Sequence, residues 1–242
     1  MSEATTAGPL TVVLVHGSFA DSSSWTGVIE RLQAQGVPVF AAVNPLRGIS
    51  IDSAYVASVF DQVPGPVLAV GHSYGGAVIS NAASGTSNVA GLVYVAAFAP
   101  DEGEKLGEVE AGSKDSVLNS ALVPHQYPTG SGTATEFSID PPKTQDAFAG
   151  DLSEAQAALI AAIQRPVSEL AFSEPSGVPA WKTLPSWAVV ATGDRAAGAD
   201  VVRAHAQRAG ATITEVEGSH VIMISQPQVV AEVIEAAIAR VS

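Results

Sequence analysis

Three short stretches of this chain carry residue types, in an order, that suit nucleophilic attack on a carbonyl. They are Gly71-His72-Ser73-Tyr74-Gly75, Thr192-Gly193-Asp194-Arg195 and Glu217-Gly218-Ser219-His220. A serine hydroxyl is a weak nucleophile until a neighbouring base takes its proton, and the base needs a third group to orient it. Ser73 is the candidate nucleophile, His220 the base and Asp194 the orienting acid; Asp101, in the run Asp101-Glu102-Gly103-Glu104, is the alternative acid. The oxyanion formed on attack needs two N–H donors. The Tyr74 N–H, at the start of a helical pattern, is one. For the second, His16-Gly17-Ser18-Phe19 offers Ser18, with Phe19 as the fallback.

These residues can cooperate only if the fold brings them together. Glycines two positions before and after Ser73 fit a sharp strand-to-helix turn, where strand and helix nearly touch and the serine is held in a strained conformation. A plain glycine-rich turn is the competing reading of that stretch alone. Leu10–Val15, Val37–Val43, Val67–Val70, Leu92–Val95 and Trp187–Ala191 are short apolar runs bounded by Gly, Pro or Asn, the signature of buried strands. Ala211–Val216 alternates apolar with polar and reads as an edge strand with one wet face. Helical patterns lie between. After Asp52, the residues Tyr55, Val56, Val59, Phe60 and Val63 share a face. Ser153 with Gln156, and Ser225 with Gln228, have capping-box spacing ahead of apolar runs. The alternation predicts an α/β fold, a mainly parallel six-stranded sheet flanked by helices. Ligands of such sheets bind at the C-terminal strand ends, where all the chemical stretches fall.

One interval departs from this rhythm. Between Ala99 and Leu184 no strand pattern is evident, and the interval is too long for a simple connection. It reads as a helical cap insertion, residues 100–183, in a single domain whose core is 1–99 and 184–242. A cap leaving and re-entering the sheet at that edge would cross above Ser73. Phe148 and Trp181 of the cap, with Phe19 and Val221, are the expected substrate contacts; core packing is the alternative for Trp181. Of the other histidines, His16 is expected to shape its loop, His72 to pack beside the turn, His125 to lie in the cap and His205 to be exposed on a helix.

Composition narrows the class further. With 242 residues, 47% of them apolar, the chain can bury one large core. The net charge is −13 and the 11 basic residues form no cluster, which excludes a nucleic-acid footprint. Without cysteine there is no disulfide, thiol nucleophile or thiolate metal site. No metal-ligand spacing or glycine-rich phosphate loop is present, so no metal and no cofactor is expected. No apolar run is long enough to span a bilayer, and the opening MSEATTAGPL lacks the features of a signal peptide. The expectation is a cytoplasmic monomer or homodimer that acts on a small-molecule ester.

His16-Gly17, Gly71-Ser73-Gly75, Asp194 and Gly218-Ser219-His220 together resemble the α/β-hydrolase superfamily. More narrowly they resemble its small esterase and hydroxynitrile-lyase branch, which includes plant methylesterases and bacterial carboxylesterases. The resemblance implies a sheet lacking the superfamily's first two strands and a carboxylesterase acting through an acyl-enzyme on small to medium esters. Val221 stands where the lyases carry lysine, and Gly17 where they carry threonine; both differences argue against cyanohydrin cleavage. Ser73 excludes the aspartate-nucleophile chemistry of haloalkane dehalogenases and epoxide hydrolases. Three alternatives stay open: the same site used as a lyase or acyltransferase, a cofactor-free perhydrolase or haloperoxidase, or a receptor-like binding protein with little turnover.

Overall fold

The structure is a computed structural model that describes residues 8–241. The leader reading rests chiefly on residues 1–7, which lie outside the described residues. The chain opens with β1 (Thr11–Val15), α1 (Thr26–Ala34), β2 (Val39–Ala42), α2 (Ile49–Asp61), β3 (Val67–His72), α3 (Tyr74–Ala82) and β4 (Val89–Val95). An insertion follows, with α4 (Leu106–Ala111), β5 (Leu122–Thr129), β6 (Gly132–Ile139), α5 (Thr144–Phe148), α6 (Glu154–Ile163), β7 (Val167–Ser168) and α7 (Leu170–Ser173). The core resumes with β8 (Ser186–Ala191), α8 (Ala199–Arg208), β9 (Thr212–Val216), α9 (Ile222–Ser225) and α10 (Pro227–Val241).

The main sheet has the order β2-β1-β3-β4-β8-β9, and every pairing is parallel. Helices cover both faces of its central strands, so β3 and β8 are buried along their whole length. That is why their sequences are continuous apolar runs rather than alternating ones. β9 lies at an edge and keeps a partly wet face, as its alternation predicts. On the other side of the core, α10 buries Val230, Val233, Ile234 and Ala237. Helix α2 departs from the sequence reading at one position: Ile49, Val56 and Phe60 face the core, while Tyr55 is exposed.

The insertion overturns the expectation of a strandless segment. β5 and β6 form an antiparallel hairpin and β7 pairs briefly with β6. Thr129 faces Gly132 across a two-residue turn, Gly130-Ser131, a stretch that reads as loop in the sequence. Pro124 and Pro128 hide β5 from pattern reading, because proline removes ladder donors and is tolerated chiefly at edges; β5 is indeed an edge strand. The capping box of Ser153 and Gln156 forms at the start of α6. The one expected at Ser225 and Gln228 does not. Pro227 opens α10, a position that wastes no N–H. Gln228 instead accepts from Arg31 Nε at 3.0 Å.

Polar ties bind the insertion to the core. Arg47 Nη1 lies 2.8 Å from Glu136 Oε2, with its guanidinium 4.5 Å above the Tyr127 ring. Arg165 Nη1 donates to the Asn44 carbonyl at 2.9 Å.

Candidate active site

β3 runs directly into α3 through Ser73, which has φ 54° and ψ −125°. A non-glycine residue rarely holds a positive φ, and the strain persists only where the surroundings enforce it. Here the Ser73 N–H donates to the Val95 carbonyl at 3.3 Å, and its own carbonyl accepts from Gly76 at 3.0 Å and Phe98 at 3.1 Å. The flanking glycines are sterically required. A Cβ on Gly75 would collide with the Val15 carbonyl oxygen, and one on Gly76 with the Phe98 carbonyl oxygen. The turn is therefore the strained elbow and not a plain glycine turn.

His220 follows β9, and Asp194 follows β8. Asp194 Oδ2 lies 2.7 Å from His220 Nδ1, and both side chains are at most 1% exposed. The other carboxylate oxygen accepts from the N–H groups of Ala196 at 2.9 Å and Ala197 at 3.0 Å. In a carboxylate–imidazole bond the oxygen accepts, so Nδ1 of His220 is the donor and Nε2 is the ring nitrogen that faces away from Asp194. His72 stacks beside the imidazole with ring centroids 4.7 Å apart, and its Nε2–H donates to the His220 carbonyl at 3.0 Å. Burial, reinforced by the nearby His220, pushes the His72 pKa well below its ordinary value and keeps the ring neutral. The hydrogen bonds among the described residues do not include one between Ser73 Oγ and His220; such bonds are often long in unliganded sites.

The loop after β1 passes against the elbow. A Cβ on Gly17 would stand 2.6 Å from Ser73 Cβ, so only glycine lets the chain pass. Ser18 follows; it is buried, and its Oγ has no hydrogen-bond partner among the described residues. Phe19 has φ 62°, a second strained residue beside the site. Tyr74 is the first residue of α3, where a helix carries N–H groups without intrahelical acceptors. His16 shapes this loop: the Asn44 N–H donates to its Nε2 at 3.1 Å, and its Nδ1 lies 2.9 Å from the Gly17 carbonyl. Burial lowers its pKa to about 4, so it is neutral.

From the insertion, Phe148 is brought to the centre. Its ring lies 5.0 Å from His220 and 6.2 Å, edge-on, from Phe19. Phe148, Phe19 and Val221 border an apolar cavity of about 230 Å³ that runs beneath α6, past Leu152 and Ile160. Trp181 is placed elsewhere. Its Nε1 donates to the Pro100 carbonyl at 3.1 Å and its ring faces Lys182 and Arg208. Asp101 pairs with Lys182 at 2.5 Å rather than with a histidine. His125 is exposed on the hairpin, 2.8 Å from Ser138 Oγ. The expected exposure of His205 is corrected: it is buried and accepts from the Ala99 N–H at 3.0 Å, because its helix turns this face to the β4 loop.

Two buried carboxyls escaped the sequence reading. Asp52 sits under the elbow, accepting from Tyr74 OH at 2.7 Å and from the Arg47 N–H at 3.0 Å. Glu110, on α4, is 4% exposed, and its carboxylate accepts from Ser116 Oγ at 3.3 Å. Neither stands in a motif, and helical periodicity alone marks both as surface charges.

The sequence matches the alpha/beta hydrolase family over residues 12–233, and the chain belongs to that family. No curated protein sequence matches it. Among solved structures it is similar to polyneuridine aldehyde esterase, with 19% identity, a TM-score of 0.76 and coverage of 95% of this chain and 100% of the other. It is similar to a pyrethroid hydrolase from Sphingobium faniae JZ-2, with 20% identity, a TM-score of 0.76 and coverage of 96% and 98%. It also resembles tomato methylketone synthase I complexed with 2-tridecanone, with 18% identity, a TM-score of 0.78 and coverage of 97% and 100%. At these identities the likeness concerns the fold. Among the described residues, no helix is long and apolar enough to cross a membrane.

Proposed function

We propose that the chain is a serine carboxylesterase in which Ser73, His220 and Asp194 act as a triad. The observation that carries this reading is the buried Asp194–His220 pair, 2.7 Å apart, whose imidazole lies against His72, the residue before a serine at φ 54°. In this reading His220 Nε2 takes the Ser73 proton as Oγ attacks the ester carbonyl. Asp194 holds the tautomer and stabilises the imidazolium. The N–H groups of Ser18 and Tyr74 receive the oxyanion, and the unpartnered Ser18 hydroxyl is a further donor. The imidazolium returns its proton to the departing alkoxide, and His220 then activates water against the acyl-enzyme. Nothing in this sequence of steps calls for a metal or cofactor.

The substrate is a small to medium neutral ester with one apolar arm, which the cavity bordered by Phe19, Phe148 and Val221 suits. The names of the esterase and pyrethroid hydrolase relatives support the same class. The test is turnover of p-nitrophenyl acetate and butyrate together with labelling by a fluorophosphonate, mapped by mass spectrometry. Stoichiometric label on Ser73, abolished in Ser73→Ala along with about 10⁶ of kcat, supports the reading. Label without turnover marks a receptor-like protein, and a folded, active Ser73→Ala variant removes the proposal.

A further inference from the structure

The insertion does more than cover the sheet edge: one of its segments grips both loops that carry the proposed acid and base. Arg195, the residue after Asp194, pairs through Nη1 with Asp146 Oδ1 of α5. Ser219, the residue before His220, donates its hydroxyl to Asp151 Oδ1. Between these two ties, Phe148 packs on the His220 ring.

The tie at Ser219 is the closer to the chemistry. Apart from the bond of the imidazole to Asp194, polar contacts among the described residues hold residues 218–220 from two sides, and the Ser219 backbone N–H also points at Asp151. Gly193 N–H donates to the Gly218 carbonyl at 3.0 Å, His72 Nε2–H donates to the His220 carbonyl at 3.0 Å, and Asp151 accepts from Ser219. The first two come from the core and the third from the insertion. Gly218 makes room for it, since a Cβ there would stand 2.7 Å from Asp151 Oδ2. Ser219 itself is buried, so its hydroxyl has little access to water as a substitute.

We propose that Asp151 is a positioning residue for His220, acting through the Ser219 hydroxyl from the insertion. This rests on the triad reading given above. The imidazole hangs from a loop, and its Nε2 must lie within hydrogen-bond reach of Ser73 Oγ when substrate is bound. A displacement near 1 Å at such a site costs on the order of 100-fold in rate. A carboxylate suits the task because a charge-assisted bond from a hydroxyl is short and strong.

The experiment uses the full chain carrying Asp151→Ala, Ser219→Ala, the pair together, and Asp151→Asn, whose amide oxygen still accepts. Expected are a fall in kcat of up to about 100-fold with KM unchanged for either alanine variant, no further loss in the double variant, and recovery in Asp151→Asn. Fluorophosphonate labelling of Ser73 should slow in parallel. The His220 Nδ1 proton, followed by NMR, should broaden through exchange in both alanine variants, a readout that needs no ester turnover. Unchanged kcat, additive losses, or an unaltered proton signal overturns the proposal. So does a loss that tracks a lowered Tm and is not recovered by asparagine. If wild-type Ser73 takes no label, the triad reading fails, while the proton signal still decides whether Asp151 positions the ring.

Discussion

A Cβ built on Gly71 would stand 2.5 Å from the carbonyl oxygen of Gly75, so the end of β3 and the first turn of α3 touch through backbone alone. Nothing at that contact can give way as a flexible side chain would. Gly71→Ala or Gly75→Ala should destabilise the fold by about 3 kcal/mol and lower activity in whatever fraction remains folded. Gly85→Ala meets no atom within 4 Å and serves as the neutral control. Urea unfolding of the three variants checks this, and a Gly75→Ala protein as stable as the control would contradict it.

The two candidate acids, Asp194 after β8 and Asp101 after β4, should behave oppositely. Asp194→Asn should reduce kcat by about 10⁴-fold, since an amide cannot hold the His220 tautomer in the same way. Asp101→Asn should cost little, because it weakens a surface pair with Lys182 and leaves an amide oxygen to accept from the Glu102 N–H. Steady-state kinetics of both variants decides; the reverse ranking would place the acid after β4.

Phe148 and Trp181 separate the two sides of the insertion. Phe148→Ala should widen the cavity beneath α6 and raise the ratio of kcat/KM for long against short acyl esters. Trp181→Ala should leave that ratio where it is, since the indole is engaged with Pro100 and two cations. An acyl-length series from acetate to octanoate reads both. A ratio that responds to Trp181 and not to Phe148 would move the substrate to the other side.

Glu110 gives a pH signature. Burial raises its pKa from an ordinary 4.5 to about 7, against the opposing pull of Ser116. The folded state therefore holds this proton more tightly than the unfolded chain. Its contribution favours the fold below about pH 4.5, is lost as pH rises toward 7, and is level above that. The full change is at most about 3 kcal/mol. Glu110→Gln should remove that pH dependence, so the variant gains on the wild type between about pH 4.5 and pH 7 in urea unfolding. A constant difference across that range would show that the carboxyl does not carry its proton at the acid end in the folded state.

Much of the core was legible because its constraints are local. The strands around Leu14, Val70 and Val189 are buried on both faces, and a continuous apolar run has few other uses. The placement of Ser73 between Gly71 and Gly75 could be read because the close approach admits no other residue. The meeting of Asp194 with His220 followed from topology, since both stretches end strands that run the same way. The insertion was less legible. Its hairpin contains two prolines in an edge strand, and Leu159 and Ile163, which look like core residues on paper, are exposed on α6. The roles of Asp52, Glu110 and Asp151 depend on partners far away in the chain, and no spacing announces them.

Four of the ties that run from the insertion to the core have a consequence for recombination. Glu136 to Arg47, Arg165 to Asn44, Asp146 to Arg195 and Asp151 to Ser219 end on three core loops, those after β2, β8 and β9. A chimera that exchanged residues 100–183 for the equivalent segment of a relative would strand a guanidinium at Arg47, another at Arg195 and a buried hydroxyl at Ser219. Transplanting selectivity by swapping this segment therefore requires carrying its docking partners along with it, and a graft that leaves any of these four contacts behind does not travel intact.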